Sequence, residues 1–293
     1  MRRLVLVYNP VSGHATFKNK LDSIIDAFQR RGCMLLIYRT QIDNRGVFVD
    51  FVRNAQAEGI LVAGGDGTLH EVVNLLLREG IHLPIAIIGS GTSNDFASYL
   101  GINEDMEDYF DAIVEGKTRW VDLGLVGEEY FVNVASAGMM TSIAHEVDAR
   151  LKNALGKMAY YLKGIGEIPK FRTMPLKVLA DGQEYEMEVF LFVITNSAVV
   201  GSMKNVAVEA RVDDGRLDFL AVKKCSVGDL MKITADLIAG KSVSGKSGVV
   251  HLQAASFSVF AEGEVFSDLD GELGPKLPLH VETAAKALEV YCR

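Results

Sequence analysis

Short apolar runs separated by helical repeats dominate the first part of the chain. Arg3–Tyr8 (RLVLVY), Met34–Thr40 (MLLIYRT), Gly59–Ala63 (GILVA) and Leu83–Gly89 (LPIAIIG) are near-continuous hydrophobic runs of strand length. Such runs mark strands covered on both faces. Between them lie Leu21, Ile24, Ile25 and Phe28 at helical spacing, then Val47, Phe48, Phe51 and Val52, then the segment Leu69–Glu79. Gly32 ends the first of these helices, as a residue free to adopt positive φ does. Strands alternating with helices predict a parallel, three-layer sheet with right-handed crossovers.

The period changes after about Asp122. Strand-like segments follow at Glu129–Ser136, Leu176–Asp181, Tyr185–Thr195, Val206–Ala210, Arg216–Lys224, Val249–Glu262 and Pro278–Thr283. Asp181-Gly182 and Asp213-Asp214-Gly215 punctuate them as turns. Helical stretches are expected around Ile143–Gly166 and Val227–Ile238. The expectation is an N-terminal α/β domain, residues 1–123, and a mostly antiparallel β-sandwich, residues 124–283. Ala287–Cys292 (ALEVYC) is expected to return as a strand, which adds about 284–293 to the first domain.

Composition narrows the function. A net charge of −8 and a pI near 5.3 argue against nucleic acid as the main partner. The three cysteines, Cys33, Cys225 and Cys292, have no metal or redox spacing and fit a reducing, cytoplasmic compartment. The N-terminal apolar run breaks at Asn9-Pro10, too early for a signal peptide. The most apolar internal stretch, Val189–Val200, is too short and too polar to span a bilayer. The six histidines show no paired metal spacing.

Three loops carry the candidate chemistry: Asn9–Gly13 (NPVSG), Gly64–Thr68 (GGDGT) and Gly89–Asp95 (GSGTSND). Each follows a predicted parallel strand, so all three emerge at the same sheet edge, where such sheets bind ligands. Glycines let backbone N–H groups close on an anion, and a helix N-terminus behind the loop adds partial positive charge. Asp66 and Asp95 would repel a phosphate unless a cation such as Mg²⁺ neutralised them. The plain alternative stays open: glycine-rich strand-to-helix turns are common, and aspartate caps helices. Neither G-x-x-x-x-G-K-[ST] nor G-x-G-x-x-G follows the first strand, which disfavours Walker-type and ordinary dinucleotide folds.

NPVSG, GGDGTLHEVVN and GTSNDFA in that order, followed by DDGRLD (Asp213–Asp218) and DGE (Asp270–Glu272), resemble the diacylglycerol kinase catalytic-domain family. The likeness is closest to its bacterial soluble lipid kinases and YegS-like proteins, and it covers nearly the whole chain. GGDGT alone is shared with NAD kinases; the later motifs are more specific. The resemblance implies a nucleotide-binding α/β domain with a β-rich domain. It implies that Gly64, Gly65, Asp66, Gly67, Thr68, Leu69 and His70 wrap the phosphates of ATP, with Asn9, Pro10, Ser12, Gly13, Thr40 and Thr92 bordering them. Glu272 would be the general base, with Asp66 and Asp95 beside the reacting groups. Asp214 would give a carboxylate to Mg²⁺, and Arg211 and Arg216 would give backbone carbonyls. His70 stands where the family commonly has Asn, and His14 where it commonly has a basic residue.

The implied reaction moves the γ-phosphate of ATP to diacylglycerol or a related lipid alcohol. The partner is a lipid at the membrane surface, met by a peripheral, transiently associated enzyme, and a homodimer is left open. Arg150–Arg172 is the candidate membrane contact, with six basic residues, one acid and an apolar stripe; a helix docked on the core with its lysines in water is the plain reading. Trp120 is expected to be a packing residue. Two other functions remain open: NAD kinase, and a nucleotide- or lipid-binding regulator without turnover.

Overall fold

The computed structural model describes residues 1–12, 17–40, 45–91, 93–102, 106–138 and 173–293. It divides into two compact units, residues 1–121 with 286–293, and residues 122–285.

The first unit is built on a parallel sheet. Its strands are β1 (Arg3–Tyr8), β2 (Met34–Arg39), β3 (Gly59–Gly64) and β4 (Ile85–Gly89). Their order is β4-β3-β1-β2, and the last part of β15 (Leu279–Tyr291) adds beside β4 through Val290 and Ile85. The helices are α1 (Lys18–Arg30), α2 (Arg45–Ala55), α3 (Asp66–Arg78), α4 (Asp95–Tyr99) and α5 (Met106–Glu115). Right-handed crossovers in this strand order send α1 to one face and α2 and α3 to the other. Accordingly α1 packs with α5, and α2 packs with α3. The unbroken apolar runs are explained by this double cover: Leu4–Val7, Ile60–Ala63 and Ile85–Ile88 are all buried. Arg31 fastens α1 to α5, with Nε 2.6 Å from Asp111 and Nη2 2.8 Å from Glu107. Those hydrogen bonds hold its guanidinium above its usual pKa.

The second unit is antiparallel. Strands run in the order β14 (Glu272–Lys276), β13 (Phe266–Leu269), β7 (Val134–Gly138), β9 (Gln183–Thr195), β8 (Met174–Ala180), β12 (Ser256–Ala261) and the first part of β15. β10 (Leu217–Lys223) pairs with β9 and with β11 (Val249–Ala254). β5 (Thr118–Val126) pairs with β6 (Glu129–Phe131) through Gly124–Val126. Inward residues including Phe192, Phe219 and Phe257 form one core; the rings of Phe192 and Phe219 stack at 5.5 Å and those of Phe219 and Phe257 lie 5.8 Å apart. A second cluster gathers Val134, Val206, Ala207, Ala210, Leu220 and Val243 around Ile233 of α6 (Val227–Ile238).

Two expectations change. Val206–Ala210 is not a strand but a series of turns. Positive φ at Gly201, Ser202 and Asn205 curls the chain, and Val206 and Ala207 are both buried where an alternating strand would bury one. Asp270-Gly271 joins β13 to β14 with φ of +53° and +97°, as two-residue hairpin turns require. Trp120, expected to pack, is 46% exposed. The expected helix at Ile143–Gly166 and the stretch Arg150–Arg172 lie outside the described residues.

Candidate active site

The parallel register brings the candidate loops of the first unit to one edge. Tyr8 pairs with Ala63 and Arg39, and Gly64 pairs with Gly89. Asn9, Thr40, Gly65 and Ser90 therefore all leave the sheet at its carboxyl end. Asn9 N–H donates to Ala63 O at 3.0 Å, Thr40 N–H to Tyr8 O at 3.0 Å, and Ser90 N–H to Gly64 O at 3.0 Å. These bonds continue the sheet ladder one residue past each strand.

The glycines are there because backbones meet. Gly65 and Gly91 face each other so closely that a Cβ on Gly91 would lie 2.3 Å from Gly65 Cα. A Cβ on Gly64 would lie 2.4 Å from that of Thr68. Asn9 Nδ2 donates to Thr68 Oγ1 at 3.1 Å, joining the first loop to the second, while Asn9 Oδ1 accepts from Val11 N–H at 3.0 Å. Asn94 closes the third loop on itself: Oδ1 accepts from Gly91 N–H and Nδ2 donates to Gly91 O, both at 2.8 Å.

GGDGT reads as a loop, but α3 already begins at Asp66. Gly67 and Thr68 thus form the first helical turn, where the helix dipole favours an anion, though Thr68 N–H is already given to Gly65 O at 3.0 Å. Leu69 and His70 are buried in the body of α3, 3% and 5% exposed. Asp66 Oδ1 accepts Asp95 N–H at 2.9 Å. Asp95 itself is buried at the start of α4, and its preceding residue, Asn94, makes no side-chain cap. One carboxylate therefore orients the start of the neighbouring helix. Val62, Gly64, Gly65, Asp66, Leu69, Ile87, Asn94 and Ala97 line a shallow depression at this edge. The buried hydroxyls of Ser90 and Ser93 find no partner among the described residues. Unsatisfied donors beside paired glycines suit a polyanionic ligand. Gly13 and Thr92 lie outside the described residues.

Two further constellations lie in the second unit. In Arg211–Arg216, Asp122, 1% exposed, accepts Gly215 N–H on Oδ2 at 2.7 Å and donates its own N–H to Val212 O at 2.6 Å. Asp214 Oδ1 accepts Arg216 N–H at 3.0 Å. Desolvation raises the Asp214 carboxyl above its usual range, and the charges of Asp218 and Asp122 push it further against the pull of Arg216. Buried Asp218 is hydrogen-bonded to His251 and Gln253. Among the described residues no three His, Cys, Asp or Glu side chains cluster as a metal cage. A cation here would rely on Asp214 with backbone carbonyls such as those of Arg211 and Arg216, and the mutual repulsion of three aspartates fits a hard cation.

The other constellation is the β13–β14 hairpin. Asp270, 4% exposed, accepts Val132 N–H on Oδ2 at 2.7 Å, and Asn133 and Val134 N–H on Oδ1 at 2.9 Å each. Glu272, two residues on, is exposed at the start of β14. Asp122 was not singled out by motif reasoning, and Asn94 and Asp270 stood inside the motifs GTSND and DGE with no role assigned to them. The available signal for Asp122 was a lone aspartate inside the apolar strand WVDLGLV.

Glycine turns that suit a phosphate on a parallel sheet, with acidic turns on a β-rich unit, fit a protein that handles a phosphorylated ligand. Residues 3–126 match the family model of the diacylglycerol kinase catalytic domain, and residues 133–292 match the YegS C-terminal NAD kinase beta sandwich-like domain. A diacylglycerol kinase of Bacillus subtilis (strain 168) is 31% identical over 285 residues, covering 95% of this chain and 92% of the relative. One from Staphylococcus carnosus (strain TM300) is 30% identical over 292 residues, covering 99% and 95%. A crystal structure of a diacylglycerol kinase from Bacillus anthracis str. Sterne superposes with a TM-score of 0.74 at 25% identity, covering 100% of this chain and 97% of that one. The chain belongs to the diacylglycerol kinase catalytic-domain family, whose members are lipid kinases.

Proposed function

We propose that this protein is an ATP-dependent diacylglycerol kinase that makes phosphatidate. The observation that supports this most is the close Gly65–Gly91 approach with the unpartnered hydroxyls of Ser90 and Ser93 beside it. It offers backbone amides and hydroxyls to a triphosphate. Asn9, Pro10, Ser12, Gly13, Thr40, Gly64–His70 and Thr92 border the phosphates, and Asp66 and Asp95 fix the geometry of the two turns. Glu272 takes the proton from the lipid hydroxyl. The hydroxyl oxygen bonds to the γ-phosphorus as the bond from that phosphorus to the β,γ-bridging oxygen breaks, and ADP leaves. Catalysis of such a transfer is mostly positioning and charge stabilisation. Asp214 and the carbonyls of Arg211 and Arg216 would hold Mg²⁺, which would supply positive charge that offsets the aspartates. The enzyme works at the membrane surface as a peripheral protein.

The test is phosphorylation of a total lipid extract with labelled ATP, the product identified by mass. Phosphatidate is expected. Glu272→Gln should lower turnover by about 10²–10⁴-fold while ATP binding stays as in the wild type. Label appearing only in NADP when NAD is supplied makes the protein a NAD kinase. ATP binding with no transfer to any acceptor makes it a regulator.

A further inference from the structure

α6 carries more apolar surface than its core contact uses. Ile233 and Leu237 pack on the cluster of Val134, Val206, Ala207 and Val243, and Leu230 shares their face. Met231, Ala235 and Ile238 form a separate stripe roughly 140° round the helix, at 100° per residue. That stripe faces solvent: Met231 is 55% and Ile238 41% exposed. A helix docked on a globular core ordinarily turns polar residues outward. Here the charged residues are confined to a third, narrow strip, Asp229, Lys232 and Asp236, and the hydroxyl of Thr234 is turned back onto Leu230 O at 2.9 Å.

The charges beside the stripe are lopsided. Asp236 is already paired with Lys246 and Lys241, and Asp229 is hydrogen-bonded to the capping Ser226. No ion pair is found among the described residues for Lys204, Lys223 or Lys232. Asn205 Nδ2 donates to Gly240 O at 2.8 Å, which ties the loop bearing Lys204 to the end of the helix that carries Ile238. From Lys223 to Lys246 there are five lysines against two aspartates, within a chain of net charge −8. An acidic protein is repelled by an anionic surface unless a local basic face makes the approach.

We infer that the outer stripe of α6, flanked by Lys232 and Lys204, docks on an anionic lipid bilayer. The inference rests on the lipid-kinase reading, because the acceptor of that reaction sits in a bilayer. Apolar side chains beside lysines are the chemistry of an interfacial helix: the apolar stripe enters the acyl boundary and the ammonium groups stay among the headgroups. It concerns residues distinct from those bordering the nucleotide.

The test is sedimentation with vesicles of phosphatidylglycerol and phosphatidylcholine that contain no diacylglycerol. The wild type should bind them, and Met231→Ser/Ile238→Ser should bind about tenfold or more weakly. Lys232→Glu should weaken binding to these vesicles at least fivefold. Hydrogen exchange on the wild type should slow across residues 227–241 when vesicles are added, a readout independent of any variant's folding. Unchanged partition of the double variant, or no protection of α6, overturns the inference. So does a change in sedimentation coefficient on substitution without lipid, which would mean that a second copy covers the stripe. Phosphorylation of a water-soluble short-chain diacylglycerol separates the two readings. The double variant should keep it; its absence in the wild type sinks the kinase reading, while vesicle binding still decides the docking surface.

Discussion

Asp270 gives the sharpest stability prediction. Its buried carboxylate accepts three backbone N–H groups from Val132, Asn133 and Val134, at 2.7, 2.9 and 2.9 Å. Asp270→Asn keeps one oxygen for Asn133 and Val134 but turns an amide NH₂ toward the Val132 N–H. One charge-assisted bond is lost, and a buried donor is left facing another donor. Bonds to charged groups are worth about 1.5–3 kcal/mol, and an orphaned buried group costs about 1–3 kcal/mol. The expected loss is about 2–4 kcal/mol. Asp270→Ala loses all three bonds and places alanine at φ +53°, so it should cost more. Urea unfolding followed together with amide exchange at Val132 reads both effects. Asp268→Asn, which keeps an amide oxygen for the Gly271 N–H that the carboxylate accepts at 2.8 Å, is the control and should cost less. If Asp270→Asn lies within about 0.5 kcal/mol of the wild type, the usual reach of a neutral surface change, the reasoning is refuted.

Two more outcomes follow from other parts of the molecule. Gly91→Ala must displace one glycine turn from the other; overpacking of this kind costs about 1–3 kcal/mol, and ATP affinity measured by titration should fall well beyond that of Gly80→Ala at a turn with open space around it. Asp181 accepts the N–H groups of Ala255 and Ser256 and the Ser256 hydroxyl; partial desolvation works against these bonds, yet they leave its carboxyl below the usual range. A depressed folded pKa gives stability that is present above the unfolded value, about 3.9, and lost as pH falls through the folded one. Asp181→Asn should therefore flatten the acid limb of the melting-temperature profile below about pH 4 and leave its slope unchanged near neutrality.

The inner strands of the first unit were legible because their burial is two-sided, whereas β2 at the edge leaves Met34 and Ile37 exposed. Ile60 to Ala63 is apolar throughout and buried throughout, so periodicity alone placed it. The start of α3 was not legible, because Gly65-Asp66-Gly67 has the composition of a turn whichever side of the helix boundary it occupies. Val206–Ala210 misled because its alternation mimics a strand, while the turns that override it depend on long-range hydrogen bonds such as Val206 N–H to Ala198 O. Within the candidate site, the glycines announced close backbone approach but not their partners. Nothing local marks Asp270 as a buried anchor, since its donors sit more than a hundred residues earlier in the chain. The same holds for Asp122, whose donor Gly215 lies 93 positions away.

The returning end of β15 has a consequence for how the first unit is made. Residues 286–293 belong to that unit, and Tyr291 is buried there, seated where a side chain on Gly59 would collide with its hydroxyl at 2.3 Å. Yet these residues leave the ribosome after every residue of the second unit. During synthesis the parallel sheet therefore waits without its bordering strand while more than half the protein is still being made, and cutting the gene at the boundary of the two units yields a fragment with an open, apolar sheet edge.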